Sequence, residues 1–291
     1  MTDGSAEPGL VVVDKPGGLT SHDVVARVRR LAGTRRVGHA GTLDPMATGV
    51  LVLGVGRATR LLGHLTLTDK AYDATIRLGV STSTDDADGE VVAERSPDGV
   101  TGDAVRAGLA GLVGEIDQVP SSVSAVKVAG RRAYERVRAG ERVELPARRV
   151  RVDSIEVTRL EPPDVDVSLR CSSGTYVRAI ARDLGEVLRV GAHLTALRRT
   201  AVGPFDLSRA RTLDELADAF AVIPLGDAAR ECFPACDLSG PQAADVRVGR
   251  RLALRLPQAG PVAVFAPDGE FLALYEQRGE QAAAVAVFAA Q

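Results

Sequence analysis

The 291-residue chain contains no Trp, and aromatic residues make up only 3% of it. Few rings are therefore present to stack on a base or cofactor, so each aromatic residue near a candidate site gains weight. The cysteines are too few for a disulfide framework and lack the paired spacing of a zinc site. The histidines show no metal-ligand spacing either, so no metal site is predicted. These residues are Cys171, Cys232, Cys236, His22, His39, His64 and His193.

Long apolar runs are also absent from the sequence. No stretch of about 18 apolar residues exists to span a bilayer. The first residues, MTDGSAEPG, are polar and acidic, which is unlike a signal peptide. These features predict a cytoplasmic protein that does not enter a membrane, with residues 1–8 as a flexible N-terminus.

The chain has no excess of positive charge, since its formal net charge is −2. The distribution is more informative than the sum, because residues 125–152 contain nine basic residues against three acidic ones. A basic face on a neutral protein is enough to contact phosphates. Taken alone, such a run is more often a solvated surface.

Strand and helix signals alternate irregularly along the chain. Tyr72–Leu78 alternates apolar and polar residues, which predicts a half-buried strand. Thr20 and Asp23 have the spacing of a capping box at the start of a helix. The irregular order favours an α+β fold with a mixed sheet over regular βαβ winding. Beyond Asp237–Gly240, short strands with turn signals predict a small β-rich domain.

The segment Gly38–Pro45, GHAGTLDP, is the densest cluster of unusual residues. Its glycines allow a sharp turn or a close approach to a ligand. Pro45 favours an extended conformation at Asp44, which fixes the direction of that carboxylate. A carboxylate held in this way can act as a nucleophile or a proton acceptor. A simple turn capped by Asp44 is the commoner use of such a pattern.

Other Gly-rich or acidic patterns do not complete a known motif. The segment that begins at Gly54, GVGRAT, fits neither a dinucleotide fingerprint nor a phosphate-binding loop. The loop Ser81–Glu90 resembles a calcium loop only superficially, because Thr84 and Arg95 stand where oxygen ligands belong. No Ser lies in a nucleophile elbow. A hydrolase with a Ser or metal site is therefore disfavoured.

The segment Cys171–Arg178, CSSGTYVR, joins a predicted strand to a predicted helix over Thr175–Leu188. Ser173 or Thr175 is expected to cap that helix. Tyr176 and Arg178 would then lie near its first turn. An Arg can hold a catalytic carboxylate ionised through a bidentate pair, although a surface Arg is the default interpretation.

Six segments together resemble the bacterial tRNA pseudouridine-55 synthases, a stand-alone pseudouridine synthase family that acts on the T loop of tRNA. They follow one another in the family's order across about 200 residues, so the resemblance is highly specific. The segments are Asp14–Arg30, Arg36–Arg60, Lys70–Glu90, Ser124–Glu141, Cys171–Gly185 and His193–Phe205.

The resemblance implies an isomerase that converts uridine 55 to pseudouridine on a base flipped out of the loop. Asp44 matches the family's essential catalytic aspartate, and Arg178 matches the arginine that pairs with it. Tyr72 matches the tyrosine that stacks on the target uracil. Tyr176 and Leu197 match residues that line the uridine pocket.

Further matches concern the RNA and the frame of the site. His39 matches the histidine that helps to draw the base out of the T loop, and Lys15-Pro16 matches a motif with a mainly structural role. The region of about 124–150 matches a mobile thumb that clamps the T-stem loop. Expected RNA contacts in this thumb are Lys127, Arg131, Arg132 and Tyr134.

The family's fold is a mixed, largely antiparallel sheet flanked by helices. The resemblance therefore implies a catalytic domain over residues 9–236 and a small PUA-like RNA-binding domain over residues 237–291. The reaction involves no redox step and no net group transfer, so no cofactor is implied. The implied partner is tRNA, with no obligate protein partner and a monomeric chain.

Two alternatives remain open at this stage. One is the guide-RNA-dependent member of the same superfamily found in box H/ACA particles, which the short N-terminus and the single small C-terminal appendage disfavour. The other is a tRNA folding chaperone that mainly binds RNA, and this second role is compatible with catalysis.

Overall fold

The computed structural model describes residues 6–66, 68–121, 127–128, 131–132 and 145–289, with only the backbone for 127–128 and 131–132. Within these residues the helices are α1 (Ser21–Leu31), α2 (Leu62–Leu65), α3 (Gly102–Ala110), α4 (Val177–Val187), α5 (Leu213–Asp218), α6 (Leu225–Cys232) and α7 (Gly240–Arg247). The strands are β1 (Gly9–Lys15), β2 (Val37–His39), β3 (Thr48–Val55), β4 (Lys70–Leu78), β5 (Val80–Thr82), β6 (Val91–Glu94), β7 (Gly114–Gln118), β8 (Lys127–Val128), β9 (Arg131–Arg132), β10 (Arg148–Glu161), β11 (Asp164–Cys171), β12 (Ala192–Val202), β13 (Phe205–Asp206), β14 (Ile223–Pro224), β15 (Ala235–Asp237), β16 (Val262–Phe265), β17 (Phe271–Arg278) and β18 (Gln281–Val287).

A large sheet forms the centre of the larger part of the chain, in the order β14-β1-β3-β12-β4-β11-β10-β7, with β2 on β3 and β13 on β12. Its described pairings are antiparallel except that of β12 with β3. This mixture confirms the prediction of an α+β fold with a largely antiparallel sheet. The parallel pairing brings the start of β3 beside β12, close to the loop that carries Asp44.

Strand β4 lies between β12 and β11 and shows the predicted alternation. Tyr72, Ala74, Ile76 and Leu78 are buried, whereas Asp73 and Arg77 are exposed. The buried set packs in a core with α3, α4, β11 and β12. The strand thus presents Tyr72 on the same face as the core, near the point where the sheet meets the pocket.

Helix α1 begins as the sequence predicts. The Thr20 side chain accepts from the Asp23 N–H at 3.1 Å, and an Asp23 carboxylate oxygen accepts from the Thr20 N–H at 2.9 Å. These two bonds satisfy backbone donors that a helix N-terminus otherwise leaves unpaired. The helix ends at Leu31, and Gly33 follows with φ +63°, a conformation that favours glycine.

The predicted cap of the helix that follows Cys171 is wrong. α4 begins at Val177 with Tyr176 as the N-cap residue, and no side chain of the N-cap makes the capping bond. The Thr175 hydroxyl instead donates to the Ser172 carbonyl at 3.0 Å and remains within the preceding turn. A local Ser or Thr caps a helix only if the backbone places it at the N-cap position.

The C-terminal residues form the predicted β-rich unit, a sheet in the order β15-β16-β17-β18. This unit begins at Ala235, close to the predicted change at Asp237. Phe265, Phe271 and Phe288 pack in one buried cluster with residues of β1 and β3. The Arg57 guanidinium also donates to the Phe288 carbonyl at 2.9 Å. The two parts of the chain therefore share a core.

Three further predictions concern residues 1–8, the thumb and the membrane. Ala6, within the segment predicted to be flexible, donates its N–H to the Ala32 carbonyl at 2.9 Å. Tyr134 and most of the predicted thumb lie outside the described residues, and Lys127, Arg131 and Arg132 are described in backbone only. No helix in the described part of the chain has the length and apolarity needed to cross a membrane.

Candidate active site

A pocket of about 540 Å³ opens where α1, the loop before β3 and the start of α4 meet. This volume lies within the range of about 300–1,000 Å³ that is typical of small-molecule sites. Its walls combine polar groups with apolar and aromatic surface. Five predicted site residues line it, namely Asp44, Tyr72, Tyr176, Arg178 and Leu197. The lining also includes Thr20, His22, Thr42, Lys70 and Arg199, which were not predicted.

Asp44 and Arg178 form an ion pair inside this pocket. Nε of Arg178 lies 3.0 Å from Oδ2 of Asp44, and Nη2 lies 3.4 Å from Oδ1. The Arg178 side chain is 6% exposed, whereas that of Asp44 is 33% exposed. The arginine therefore holds the carboxylate from behind and leaves it open to a molecule in the pocket. Sequence position alone could not bring these two residues together.

Arg178 also contacts a second carboxylate. Its Nη1 lies 3.4 Å from Oδ2 of Asp86 and donates to the Thr84 carbonyl at 3.0 Å. Asp86 is buried, and its other oxygen accepts from the Thr84 hydroxyl and from the Asp88 N–H. The sequence analysis considered this loop only as a failed calcium site. The acidic residues of this loop were the sequence feature that could have drawn attention to Asp86.

Burial raises the pKa of the Asp44 carboxyl above its ordinary value. The Arg178 charge is the main opposing influence, because a cation favours the carboxylate form. The neighbouring Asp86 adds to the rise, while Lys15 opposes it. The ionisation of Asp44 thus depends on the arginine that lies behind it.

Lys15 donates hydrogen bonds to the loop that carries Asp44. It is fully buried, and its ammonium donates to the carbonyls of Pro16 at 3.0 Å, Leu19 at 2.7 Å and Pro45 at 3.2 Å. Burial lowers the pKa of this lysine to about 8. The contacts link the end of β1 with the residue that follows Asp44, which supports the structural role expected of the Lys-Pro pair.

The predicted apolar walls of the pocket lie on three different elements. Tyr72 on β4 and Leu197 on β12 are each 7% exposed, and Tyr176 contributes from the turn before α4. In the pairing of β4 with β12, Tyr72 lies opposite Arg199 and Leu197 lies opposite Ala74. The pocket therefore has one ring from the sheet and one from the turn.

Two buried cations at the pocket were missed from the sequence. Arg199 is fully buried and donates to the carbonyls of Val50 at 2.7 Å and of Thr42 and Gly41 at 3.3 Å. Lys70 is 7% exposed, and its Nζ donates to two carbonyls of the turn before β4. Burial lowers the pKa of Lys70 to about 8, and the nearby Arg199 lowers it further. Both residues could have been noticed in the sequence, because they lie two positions from Tyr72 and Leu197 in segments that resemble the family.

His39 does not line the pocket. Its ring lies at 5.6 Å from the ring of His22 in an edge-to-face arrangement, and His22 forms part of the lining. His39 is thus one ring removed from the space that Asp44 faces.

Within the described ranges, no group of three or more His, Cys, Asp or Glu residues is placed to hold a metal ion. The cysteines are free thiols, and burial raises the pKa of Cys171 to about 11 and that of Cys232 to about 12. Their thiols therefore lack the low pKa of a reactive nucleophile.

The same fold occurs in solved structures of other assemblies. One, described as "Structure of H/ACA RNP bound to a substrate RNA containing 2'-deoxyuridine", is 26% identical with a TM-score of 0.74, covering 97% of this chain and 85% of that one. Another, "Crystal Structure of a Cbf5-Nop10-Gar1 Complex", is 28% identical with a TM-score of 0.74, covering 97% and 84%.

Family models define the class of protein. Residues 29–177 match "TruB family pseudouridylate synthase (N terminal domain)". Residues 178–230 match "tRNA pseudouridylate synthase B C-terminal domain", and residues 233–289 match "tRNA Pseudouridine synthase II, C terminal". The chain belongs to the TruB family of pseudouridylate synthases.

Curated relatives are similar over almost their whole length. A protein of Thermobifida fusca is 60% identical over 97% of this chain and 98% of its own, and one of Arthrobacter sp. is 57% identical over 97% and 96%. A third, of Streptomyces griseus, is 55% identical over 99% and 100%. All three carry the name tRNA pseudouridine synthase B.

Proposed function

We propose that this protein converts the uridine at position 55 in the T loop of tRNA to pseudouridine, with Asp44 as the essential carboxylate. The observation that carries the proposal is the Asp44–Arg178 pair, which leaves an oriented carboxylate open to a pocket of about 540 Å³. Membership of the TruB family and the names of the relatives support the choice of substrate.

The reaction is an isomerisation that balances within the substrate. The bond from N1 of uracil to C1′ of the ribose breaks, the uracil turns, and a new bond forms from C5 to C1′. The proton on C5 is lost and N1 gains one, so no oxidant, reductant or group donor is consumed. Asp44 is the group in reach to attack the substrate or to remove a proton from it, and Arg178 holds it for that step.

The target base must leave its stack before it reaches Asp44. Unstacking costs a few kcal/mol, which stacking and hydrogen bonds in the pocket must offset. Tyr72 supplies an aromatic face for the flipped uracil, and Tyr176 and Leu197 close the sides of the pocket. We expect His39, whose ring packs edge-to-face on the ring of the pocket residue His22, to support extraction of the base from the loop.

RNA binding would extend beyond the pocket. We expect Lys127, Arg131, Arg132 and Tyr134 to contact the T-stem loop, with the cations on phosphates that position the RNA. The catalytic domain would comprise residues 9–236, and residues 237–291 would form a PUA-like RNA-binding domain. The separate four-stranded sheet from β15 to β18 supports a division close to this position, since β15 begins at Ala235.

The protein would act on free tRNA, as a monomer in the cytoplasm and without a guide RNA. This proposal is supported by the difference in sequence identity between the curated relatives and the solved assemblies. The curated tRNA pseudouridine synthases are 54–60% identical. The solved assemblies described with H/ACA RNP or partner proteins are 26–28% identical.

The test uses purified protein with an unmodified tRNA transcript and a second transcript that carries cytidine at position 55. Mapping should show one pseudouridine, at position 55, without added RNA or protein. Asp44→Asn should bind tRNA and leave the uridine unchanged, whereas Asp98→Asn, which alters an exposed loop carboxylate, should be fully active. Turnover by Asp44→Asn, or a requirement for guide RNA, would contradict the proposal.

A further inference from the structure

Gln118, the last residue of β7, reaches the turn that forms one wall of the pocket. Its amide pairs with both backbone groups of one residue. Oε1 accepts from the Tyr176 N–H at 2.8 Å, and Nε2 donates to the Tyr176 carbonyl at 3.1 Å. Gln118 is 2% exposed, so water does not compete for these bonds. A buried amide in this arrangement fixes both the position and the orientation of the peptide that it pairs with.

Tyr176 needs an external partner because α4 has no capping box of its own. The third residue of α4 is Ala179, which has no group to accept from the N-cap N–H. In α1 that position is Asp23, which accepts from the Thr20 N–H. Gln118, which lies on β7, therefore provides the acceptor for the N-cap N–H of α4 that a capping-box side chain provides within its own helix.

The turn before Tyr176 is closed by two bonds from Thr175 to the Ser172 carbonyl, and neither of them involves the Tyr176 peptide. Gly174 has φ +89°, and the backbone bond within the turn, from the Thr175 N–H to the Ser172 carbonyl, is long at 3.4 Å. The amide of Gln118 contacts both backbone groups of Tyr176 at the point where this turn becomes α4.

We propose that Gln118 is a positioning residue for the reaction, which acts through the Tyr176 backbone to place both the Tyr176 wall and the Arg178–Asp44 pair. Arg178 follows Tyr176 by two residues in the first turn of α4, so a displaced N-cap displaces the guanidinium that holds Asp44. A misplacement of about 1 Å can reduce a rate on the order of 100-fold. This inference rests on the proposed isomerase activity.

A second anchor keeps β7 in place if Gln118 is changed. The carbonyl of Val119 accepts from Nη2 of Arg182 at 2.8 Å, and Arg182 lies further along α4. Loss of the Gln118 amide should therefore loosen the start of α4 without releasing the strand.

The first test compares Gln118→Ala with Glu215→Ala as a matched control. Glu215 also accepts from the N–H of a helix N-cap residue, Thr212 at 2.8 Å, but its helix, α5, does not line the pocket. Single-turnover rate, tRNA affinity and melting temperature are measured for each. Gln118→Ala should lower the rate on the order of 10- to 100-fold, with tRNA affinity near that of the wild type. Glu215→Ala should lower only the melting temperature. A rate loss that merely follows the melting temperature in both variants would overturn the inference.

The second test uses Gln118→Glu over a range of pH. An ionised carboxylate can accept from the Tyr176 N–H but cannot donate to its carbonyl, whereas a protonated carboxyl group does both. Burial favours the protonated form as the pH falls. The ratio of variant to wild-type rate should therefore rise several-fold from pH 8 to pH 6, roughly as protonation proceeds. A ratio that does not change with pH would contradict the role of the amide donor.

A third measurement does not depend on turnover. Amide hydrogen exchange in the peptide 172–180 should be faster in Gln118→Ala than in the wild type, while exchange in α1 should be unchanged. Unchanged exchange at Tyr176 would overturn the inference even in an active enzyme. An inactive wild type with faster exchange in the variant would instead count against the proposed function, so the two failures can be distinguished.

Discussion

Nε of Arg178 lies 3.0 Å from Oδ2 of Asp44, although 134 positions separate the two residues in the sequence. The arginine is the more buried partner and is fixed from its other side by Asp86 and the Thr84 carbonyl. The pair is therefore built from a rigid cation and an accessible carboxylate, which is the arrangement that a carboxylate needs in order to react with a bound molecule.

Replacing Arg178 by Met should lower the rate on the order of 100-fold or more and move the acidic limb of the pH–rate profile to higher pH. Arg178 opposes the rise in the pKa of Asp44. Without this cation the carboxylate is less stable, so a higher pH is needed to ionise Asp44. The measurement is kcat/KM against pH. Arg77→Met, which breaks an exposed pair with Asp164, is the control and should leave the profile unchanged.

Replacing Asp86 by Asn should move the same limb in the opposite direction. Asp86 raises the pKa of Asp44, so its neutralisation allows Asp44 to ionise at lower pH. The rate at neutral pH should nevertheless fall about tenfold, because Arg178 then loses one of the two carboxylates that orient it. A fall in rate with no shift of the acidic limb would show that Asp86 does not sense the charge of Asp44.

The Lys70→Met variant should lack part of the stability that the wild type gains as the pH rises above 8. The pKa of Lys70 is about 8 in the folded state against an ordinary 10.5. Between these values the unfolded chain binds more protons than the folded one, so Lys70 makes folding more favourable as the pH rises. The difference in free energy of unfolding between wild type and variant, from urea titrations, should therefore grow in favour of the wild type from pH 8 to 10.5. A constant difference would contradict the burial of a charged amine there.

Replacing Arg131 and Arg132 together by Ala should weaken tRNA binding and flatten its salt dependence. Removal of one contact between a cation and a phosphate lowers the slope of log K against log salt by about 0.7–0.9. Filter binding at several salt concentrations measures this slope. Arg159→Ala, which alters an arginine already paired with Asp166 and Glu161, is the control. An unchanged slope in the double variant would show that these arginines do not bind phosphate.

The sequence predicted local structure well wherever the pattern was periodic or the cap was local. The alternation of Tyr72–Leu78 and the Thr20/Asp23 capping box are both present. The resemblance to known synthases brought Asp44, Tyr72, Arg178 and Leu197 to attention, and the structure places them around one pocket.

Contacts between distant segments could not be predicted in the same way. Asp86 belongs to a loop that looked like a failed metal site, and its importance follows only from its distance to Arg178. The cap of α4 was wrongly assigned to Ser173 or Thr175, because the true partner of Tyr176 is Gln118 on another strand. Such pairings depend on how strands and helices pack, which neither periodicity nor residue type specifies.

The shared aromatic cluster of Phe265, Phe271 and Phe288 has a consequence for synthesis on the ribosome. Leu10 and Val50 lie in the same core as Phe288, which is synthesised long after them. That part of the core cannot close until Phe288 has left the exit tunnel, so apolar surface on β1 and β3 stays uncovered while the residues between them are synthesised. A nascent chain with such a surface is prone to aggregate, and this protein should depend on chaperones more during its synthesis than after its release.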